Sequence, residues 1–169
     1  AAAVSLLWPL NAAVSRFRQK EGPFSLDAAG PLAKRSAGDA AAVRWLLQNA
    51  RQGDVLIEAS GDPYTEFARV SAHTGIPTVM GWANHEGLWR DKTPHGPEVM
   101  ERLGRVKAFY TNPDPRAAWD TIQKYRITHI VVGDMERRTH PAADRVAAIP
   151  YLRLVHDGPT RIYRVERPL

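Results

Sequence analysis

The sequence predicts an α/β fold: a mainly parallel sheet with helices on both faces and a C-terminal antiparallel hairpin. Three observations predict it. A short continuous apolar run at 55–57 has the character of a buried parallel strand, and 76–80 and 127–132 also read as strands. Amphipathic stretches of helical period separate them. Near the end, 152–156 and 161–165 flank Asp157-Gly158-Pro159, a turn suited to a hairpin. The chain of 169 residues, 44% hydrophobic and 24% charged, suits a single core and is not disordered in character.

In chain order, residues 1–38 read as a truncated membrane-proximal segment and linker, and 39–169 as the soluble α/β domain. Residues 1–10 are apolar and open without Met or a leading positive charge, which fits a signal peptide poorly. They read either as the cut end of something longer, with Trp8 as an interfacial aromatic ahead of Arg16, Arg18 and Lys20, or as a short amphipathic helix packed on the domain. Pro23, Gly30 and Pro31 predict an irregular linker over 22–38. Asp39 is a good N-cap for a helix to about residue 50, where Val43, Leu46 and Leu47 share a face. After the run at 55–57, Asp62-Pro63 predicts a helix over 64–73, closed by Thr74-Gly75. A strand at 76–80 leads into 81–90. A short helix over 98–103 and a strand over 106–110 follow. Asp114-Pro115 starts a helix with Ala118, Trp119, Ile122 and Tyr125 on one face, ahead of the strand at 127–132 and a small helix over 141–149.

In such sheets ligands gather beyond the carboxyl ends of the strands. The loops 58–64, 81–90 and 133–137 are predicted to lie there. The most informative is 81–90, Gly-Trp-Ala-Asn-His-Glu-Gly-Leu-Trp-Arg. Trp82 and Trp89 offer flat apolar surface, and Asn84, His85, Glu86 and Arg90 offer groups that fix orientation. Glu58, Tyr64 and Arg69 join them as candidate ligand-binding residues. His85 and Glu86 admit a ligand or acid/base reading, for which Asp62, His73, His95 or His140 are available as a further ligand, and a structural hydrogen-bonding reading. Arg69 and Arg90 either hold an anion or form salt bridges to Glu58, Glu66 or Glu86. Asp134, Glu136 and Arg137 are expected to fix a loop.

Several classes are set aside. Without cysteine there is no disulfide, thiol nucleophile or thiolate metal site. No apolar run is long enough to span a bilayer. The net charge of +5 is spread along the chain without a basic block, which argues against nucleic acid and is compatible with an anionic membrane surface. Neither a phosphate-binding P-loop nor a Gly-x-Ser-x-Gly elbow is present.

Trp45-Leu46, Ile57-Glu58-Ala59, Tyr64-Thr65, Arg69-Val70-Ser71-Ala72, Thr74-Gly75-Ile76-Pro77, Gly81-Trp82, His85-Glu86, Trp89-Arg90, Tyr110-Thr111 and Val132-Gly133 with Glu136-Arg137, taken in order, resemble one family. It is the YYY group of archaeal and Chloroflexi-type multi-pass membrane proteins, a domain of unknown function. Ser25-Leu26-Asp27 and Trp8-Pro9-Leu10 resemble segments that precede this region there, although Asp27-Ala28-Ala29 departs from the usual Asp-Gly. The resemblance implies the extracytoplasmic, soluble part of a cell-membrane protein similar to lipid-linked-sugar glycosyltransferases. It implies recognition rather than catalysis by this domain, with partners in its own membrane helices and a glycan or polyprenyl-phosphate sugar. No cofactor is expected in the domain itself; a divalent metal would belong to the membrane part. The alternatives are a self-contained hydrolase or metal enzyme using His85 and Glu86, and a structural packing module for the membrane helices.

Overall fold

The computed structural model describes residues 9–15, 18, 29–90 and 92–166; the expectations placed on Trp8, Arg16, Lys20 and Ser25-Leu26-Asp27 lie outside them. A four-stranded mixed sheet carries helices on both faces. Its strands are β1 (Leu56–Ile57), β2 (His129–Val132), β3 (Leu152–His156) and β4 (Arg161–Val165), in the order β1-β2-β4-β3. β1 pairs parallel to β2, while β2–β4 and β3–β4 are antiparallel. The C-terminal hairpin is as expected, with a register shift between Leu154 and His156. The sheet is mixed, not mainly parallel.

The parallel half is short because the run at 76–80 forms no regular strand. Thr78 makes an isolated parallel bridge to Leu56, Leu56 N donates to Pro77 O at 2.8 Å, and Val79 N donates to Leu56 O at 3.1 Å. Pro77 has no N–H to extend the ladder. A second correction concerns 106–110, which is helical. Val99, Val106, Phe109 and Tyr110 are buried on one side of a single long helix, so the helical period over the longer window prevails over the local apolar run.

Alternation along the strands separates two apolar layers. Ile57, Ile130, Val132 and Tyr163 face one cluster, and Leu56, Val131 and Ile162 face the other. The second cluster is covered by α1 (Ala29–Arg35), α2 (Ala37–Asn49) and α3 (Arg69–Thr74), through Leu32, Val43, Leu46 and Val70. Residues 29–38, expected as irregular linker, are thus mostly helical. The cap of α2 is Ser36, whose hydroxyl accepts the Asp39 amide at 3.1 Å; Asp39 sits inside the first turn. The first cluster is covered by α4 (Ala83–Arg90), α5 (Gly96–Thr111), α6 (Pro115–Tyr125) and the 3₁₀ turn Ala143–Ala148, with α7 (Asp134–Thr139) following β2 directly. Asp114 caps α6 by accepting the Ala117 amide at 2.9 Å, as the Asp-Pro pair predicts. No helix among the described residues is long and apolar enough to cross a membrane.

Tyr110, fully buried on α5, ties the parallel pair together. Its hydroxyl lies 2.8 Å from both the Ile57 and the Val131 carbonyl oxygens, so one proton is shared between β1 and β2. Burial, with Glu136 and Glu58 nearby, pushes its pKa well above the usual phenol value. His140 stacks on its ring, with centroids 5.7 Å apart.

Tyr110→Phe should cost about 1–3 kcal/mol in urea unfolding, because the buried carbonyls lose their donor while the ring remains. An unchanged midpoint would contradict the tie. Burial also holds His129 and His140 below the ordinary imidazole value. The unfolded chain takes up these protons near pH 6.5, roughly, and the folded chain does not. Their stabilisation is therefore complete above that pH and lost as pH falls through the depressed folded values. Urea midpoints from pH 7 to 5 should show a drop that a His129→Asn/His140→Asn double variant reduces; an equal or steeper drop in the variant would contradict it.

Candidate functional site

Arg69, the first residue of α3, is buried at the carboxyl ends of β1 and β2. Its Nε donates to Asp39 Oδ2 at 2.7 Å and its Nη2 to Asp39 Oδ1 at 3.0 Å. Nη1 and Nη2 donate to the two Glu136 oxygens at 3.1 and 2.9 Å. Glu58 Oε2 lies 3.8 Å from Nη1. The planar fork of arginine is what allows two carboxylates to be engaged in paired fashion from one side chain.

Each acid also serves the backbone. Glu58, the residue after β1, accepts the amides of Val70 and Ser71 at 3.0 and 2.9 Å and so caps α3 from across the loop. Glu136 accepts Ala59 N at 2.9 Å and Gly133 N at 2.8 Å, joining the loop after β1 to the start of α7. Asp39 Oδ1 accepts the Thr160 hydroxyl at 2.7 Å, which brings in the start of β4. Gly133 is required by this crowding: a Cβ there would lie 2.7 Å from Thr160 Oγ1 and 2.9 Å from Arg69 Nη2.

Burial works to raise the Asp39 pKa, but the hydrogen bonds and charge of Arg69, with Thr160, hold it below the usual carboxylate value. For Glu58 burial prevails, raising its pKa against Arg69 and the Ser71 and Val70 amides. Burial alone would lower Arg69; Glu136 and Asp39 outweigh it and keep the guanidinium charged.

The loop between β1 and α3 is not the predicted helix over 64–73. Its helix begins five residues later, because Glu58 draws the amides of Val70 and Ser71 and sets the first turn there. Tyr64 and Ala68 both take left-handed backbone, each with φ 60°. The Phe67 ring lies over Gly61, where a Cβ would come within 2.2 Å of it. Trp82 Nε1 donates to Phe67 O at 2.9 Å, Gly61 bridges Trp82 in parallel fashion, and Ser60 Oγ donates to Gly81 O at 2.7 Å. The three predicted strand-end loops therefore meet. Two of them become helical, 83–90 as α4 and 134–139 as α7.

A cleft of about 530 Å³ opens at this junction, floored by Asp39 and Arg69 and bordered by Arg35, Tyr64, Phe67, Trp82, Arg137 and Arg138. Leading away from it is a chain of rings. Tyr64 and Trp82 have centroids 5.5 Å apart, Trp82 and His85 6.0 Å, and His85 and Trp89 6.3 Å. Tyr64 and Trp89 are 82% and 76% exposed, whereas Trp82 and His85 are half-buried. Glu86 Oε1 accepts Gly81 N at 3.2 Å, and Arg90 lies 3.7 Å from Glu86. His85 and Glu86 thus serve different neighbours, the imidazole its aromatic surround and the carboxylate the backbone. Asn84 is exposed on the other side of α4.

Of the residues singled out in the sequence, Tyr64, Trp82, His85 and Trp89 form one surface, with Glu86 and Arg90 beside it. Glu58 and Arg69 lie beneath the cleft and are occupied by internal partners. Asp62, His73, His95 and His140 do not gather around His85; among the described residues no group of three or more His, Asp or Glu is placed to hold a metal ion. The two main partners of Arg69 were not anticipated as such: Asp39 read as a cap and Glu136 as a loop-fixing acid. The available signal for Asp39 was a carboxylate set among Ala37, Gly38, Ala40 and Ala42, whose small side chains let another side chain come close.

Removing the guanidinium leaves three buried acids without a counter-charge. Arg69→Met should destabilise by about 3–5 kcal/mol. Arg69→Lys should recover part of that, because an ammonium restores charge but not the fork. Chemical unfolding checks both; a loss for Arg69→Met below about 1 kcal/mol would contradict the assignment.

No protein-family model matches the chain. No curated protein matches it either. Among solved structures, the chain is similar to the crystal structure of the C-terminal globular domain of oligosaccharyltransferase from Archaeoglobus fulgidus. The two are 11% identical, with a TM-score of 0.48 over 76% of this chain and 97% of that one.

Proposed function

We propose that the chain is the recognition domain of a polytopic membrane protein of the lipid-linked-sugar glycosyltransferase kind. In this reading it lies on the extracytoplasmic side and holds a glycan or polyprenyl-phosphate sugar while catalysis takes place elsewhere in the protein. The observation that carries the proposal is the ring series that starts at the cleft with Tyr64 and Trp82 and leads away from it through His85 to Trp89. Exposed rings beside fixed polar groups suit a saccharide, whose C–H faces pack on aromatics and whose hydroxyls need donors and acceptors. Glu86 and Arg90 supply these at the edge, while Asn84 lies on the other side of α4. Glu58 and Arg69 act from beneath by holding the loop that presents Tyr64. The family resemblance in the sequence supplies the membrane setting; the likeness to the oligosaccharyltransferase domain is not needed for it.

Titration of the chain with glycans and polyprenyl-phosphate sugars, followed by tryptophan fluorescence, tests this reading. Tyr64→Ala and Trp89→Ala should each weaken binding by about 2- to 10-fold, the range expected for one aromatic stack. Both side chains are exposed, so the fold should be retained. Saccharide binding unchanged in the double variant, or no binding to the unaltered chain, would contradict it.

A further inference from the structure

The helical hairpin formed by α4 and α5 carries a second surface, on the side of α4 away from the cleft. Leu88 is 83% exposed and Met100 68% exposed, and both border an open groove of about 660 Å³ whose base is Ala83, Val99 and Leu103. Trp89 follows Leu88 on α4, 76% exposed and roughly 100° round the helix, on the side of the ring series and outside the lining of the groove. A folded chain seldom leaves large apolar side chains standing together in water without a use for them.

We infer that this hairpin docks on a lipid bilayer containing anionic headgroups. Side chains that project this far, above an open groove rather than a flat apolar floor, suit a fluid phase that closes around each one. The residues around them have interfacial character: a tryptophan at the boundary, with Arg90 and Lys92 beside it. Glu86 lies 3.7 Å from Arg90 and Asp91 stands between the two cations, so residues 86–92 are balanced in charge and the attraction to anionic headgroups comes from the chain as a whole. The acids farther along α5 are already engaged. Glu98 lies 3.0 Å from His95 and 3.4 Å from Arg102, and Glu101 is paired with Arg105 and Lys124. These pairs offset acid against cation and leave α5 close to neutral, so the net charge of +5 is what favours approach to an anionic surface. Docking through Leu88, Trp89 and Met100 sets α4 at the lipid interface, with its ring series facing a ligand held there. The docking stands independently of saccharide recognition, since it needs only lipid.

The chain has no cysteine, so single-cysteine variants can be labelled cleanly. Leu88→Cys, Met100→Cys and a control, Leu47→Cys, would each carry an environment-sensitive nitrobenzoxadiazole label. Leu47 is 59% exposed on α2, across the sheet from the hairpin. Glycan-free vesicles of phosphatidylcholine with phosphatidylglycerol should blue-shift the labels at 88 and 100 but not at 47. Lipids brominated in the acyl chain should quench the same two positions. In flotation with those vesicles, Leu88→Asp/Met100→Asp should lower the bound fraction at limiting lipid by at least about tenfold, given the two apolar anchors lost. No shift at 88 and 100, or equal shifts at all three positions, would overturn the inference. So would a shift that follows protein concentration without vesicles, which would assign the hairpin to a second copy of the chain. Failure of saccharide titration with intact vesicle docking, or the reverse, separates this inference from the proposed function.

Discussion

The Arg69 guanidinium is the constraint on which the arrangement of the cleft depends. Carried on α3, it meets Asp39 of α2 and Glu58 and Glu136 beyond the ends of the two parallel strands, while Thr160 at the start of β4 joins through Asp39. Glu58 and Glu136 also accept backbone amides, and in Glu136 each oxygen accepts both from Arg69 and from an amide. One side chain therefore fixes where α3 begins, where the loop after β1 lies and how α7 starts. A buried ion cluster of this kind is costly to form, because every charge must leave water; its benefit is geometric, since few other placements of the loops satisfy all the donors at once.

The loop from Gly61 to Ala68 bears the consequence. Two non-glycine residues in left-handed backbone cost energy that local contacts alone would not repay. The loop persists in this shape because Glu58 anchors one end to α3, Phe67 covers Gly61, and Trp82 holds the Phe67 carbonyl. Tyr64 is carried outward by that shape, and the ring series begins with it. The exposed aromatic edge thus follows from the buried charge beneath it. The opposite face of α4 has no such origin; its exposed Leu88 and its neighbour Met100 on α5 stand outside the packed core.

Much of the layering was legible from sequence, because it follows from period and composition. Residues 55–57 read as a strand through an unbroken apolar run and 127–132 through their β-branched residues, Asp114-Pro115 marked a helix start, and Asp157-Gly158-Pro159 marked the hairpin. The misreadings have a common cause: local signals were overridden by partners far along the chain. The run at 76–80 looked like a strand, yet Pro77 denied it a ladder. Residues 106–110 looked like one too, until Val99 extended their spacing to a helical face. The helix after Asp62-Pro63 began late because Glu58 and Arg69 set its first turn. For the site, the indole-rich decapeptide was visible as a surface segment, and its convergence with the loops after β1 and β2 follows from sheet topology. The pairing of Arg69 with Asp39 and Glu136 was not visible, since contacts across 30 and 67 residues leave no spacing to detect.

The central claim is that the charge cluster locks these segments into one cooperative unit under the ring-bearing surface. Native-state hydrogen exchange at the amides of Ala59, Val70, Ser71 and Gly133 tests it most directly, because all four donate to Glu58 or Glu136. The account predicts that the four exchange through a common opening, with one free energy and one dependence on denaturant. Val70 and Ser71 exchanging through a separate, low-energy opening while Ala59 and Gly133 stay protected would show that the loop and α3 move independently, and would contradict it.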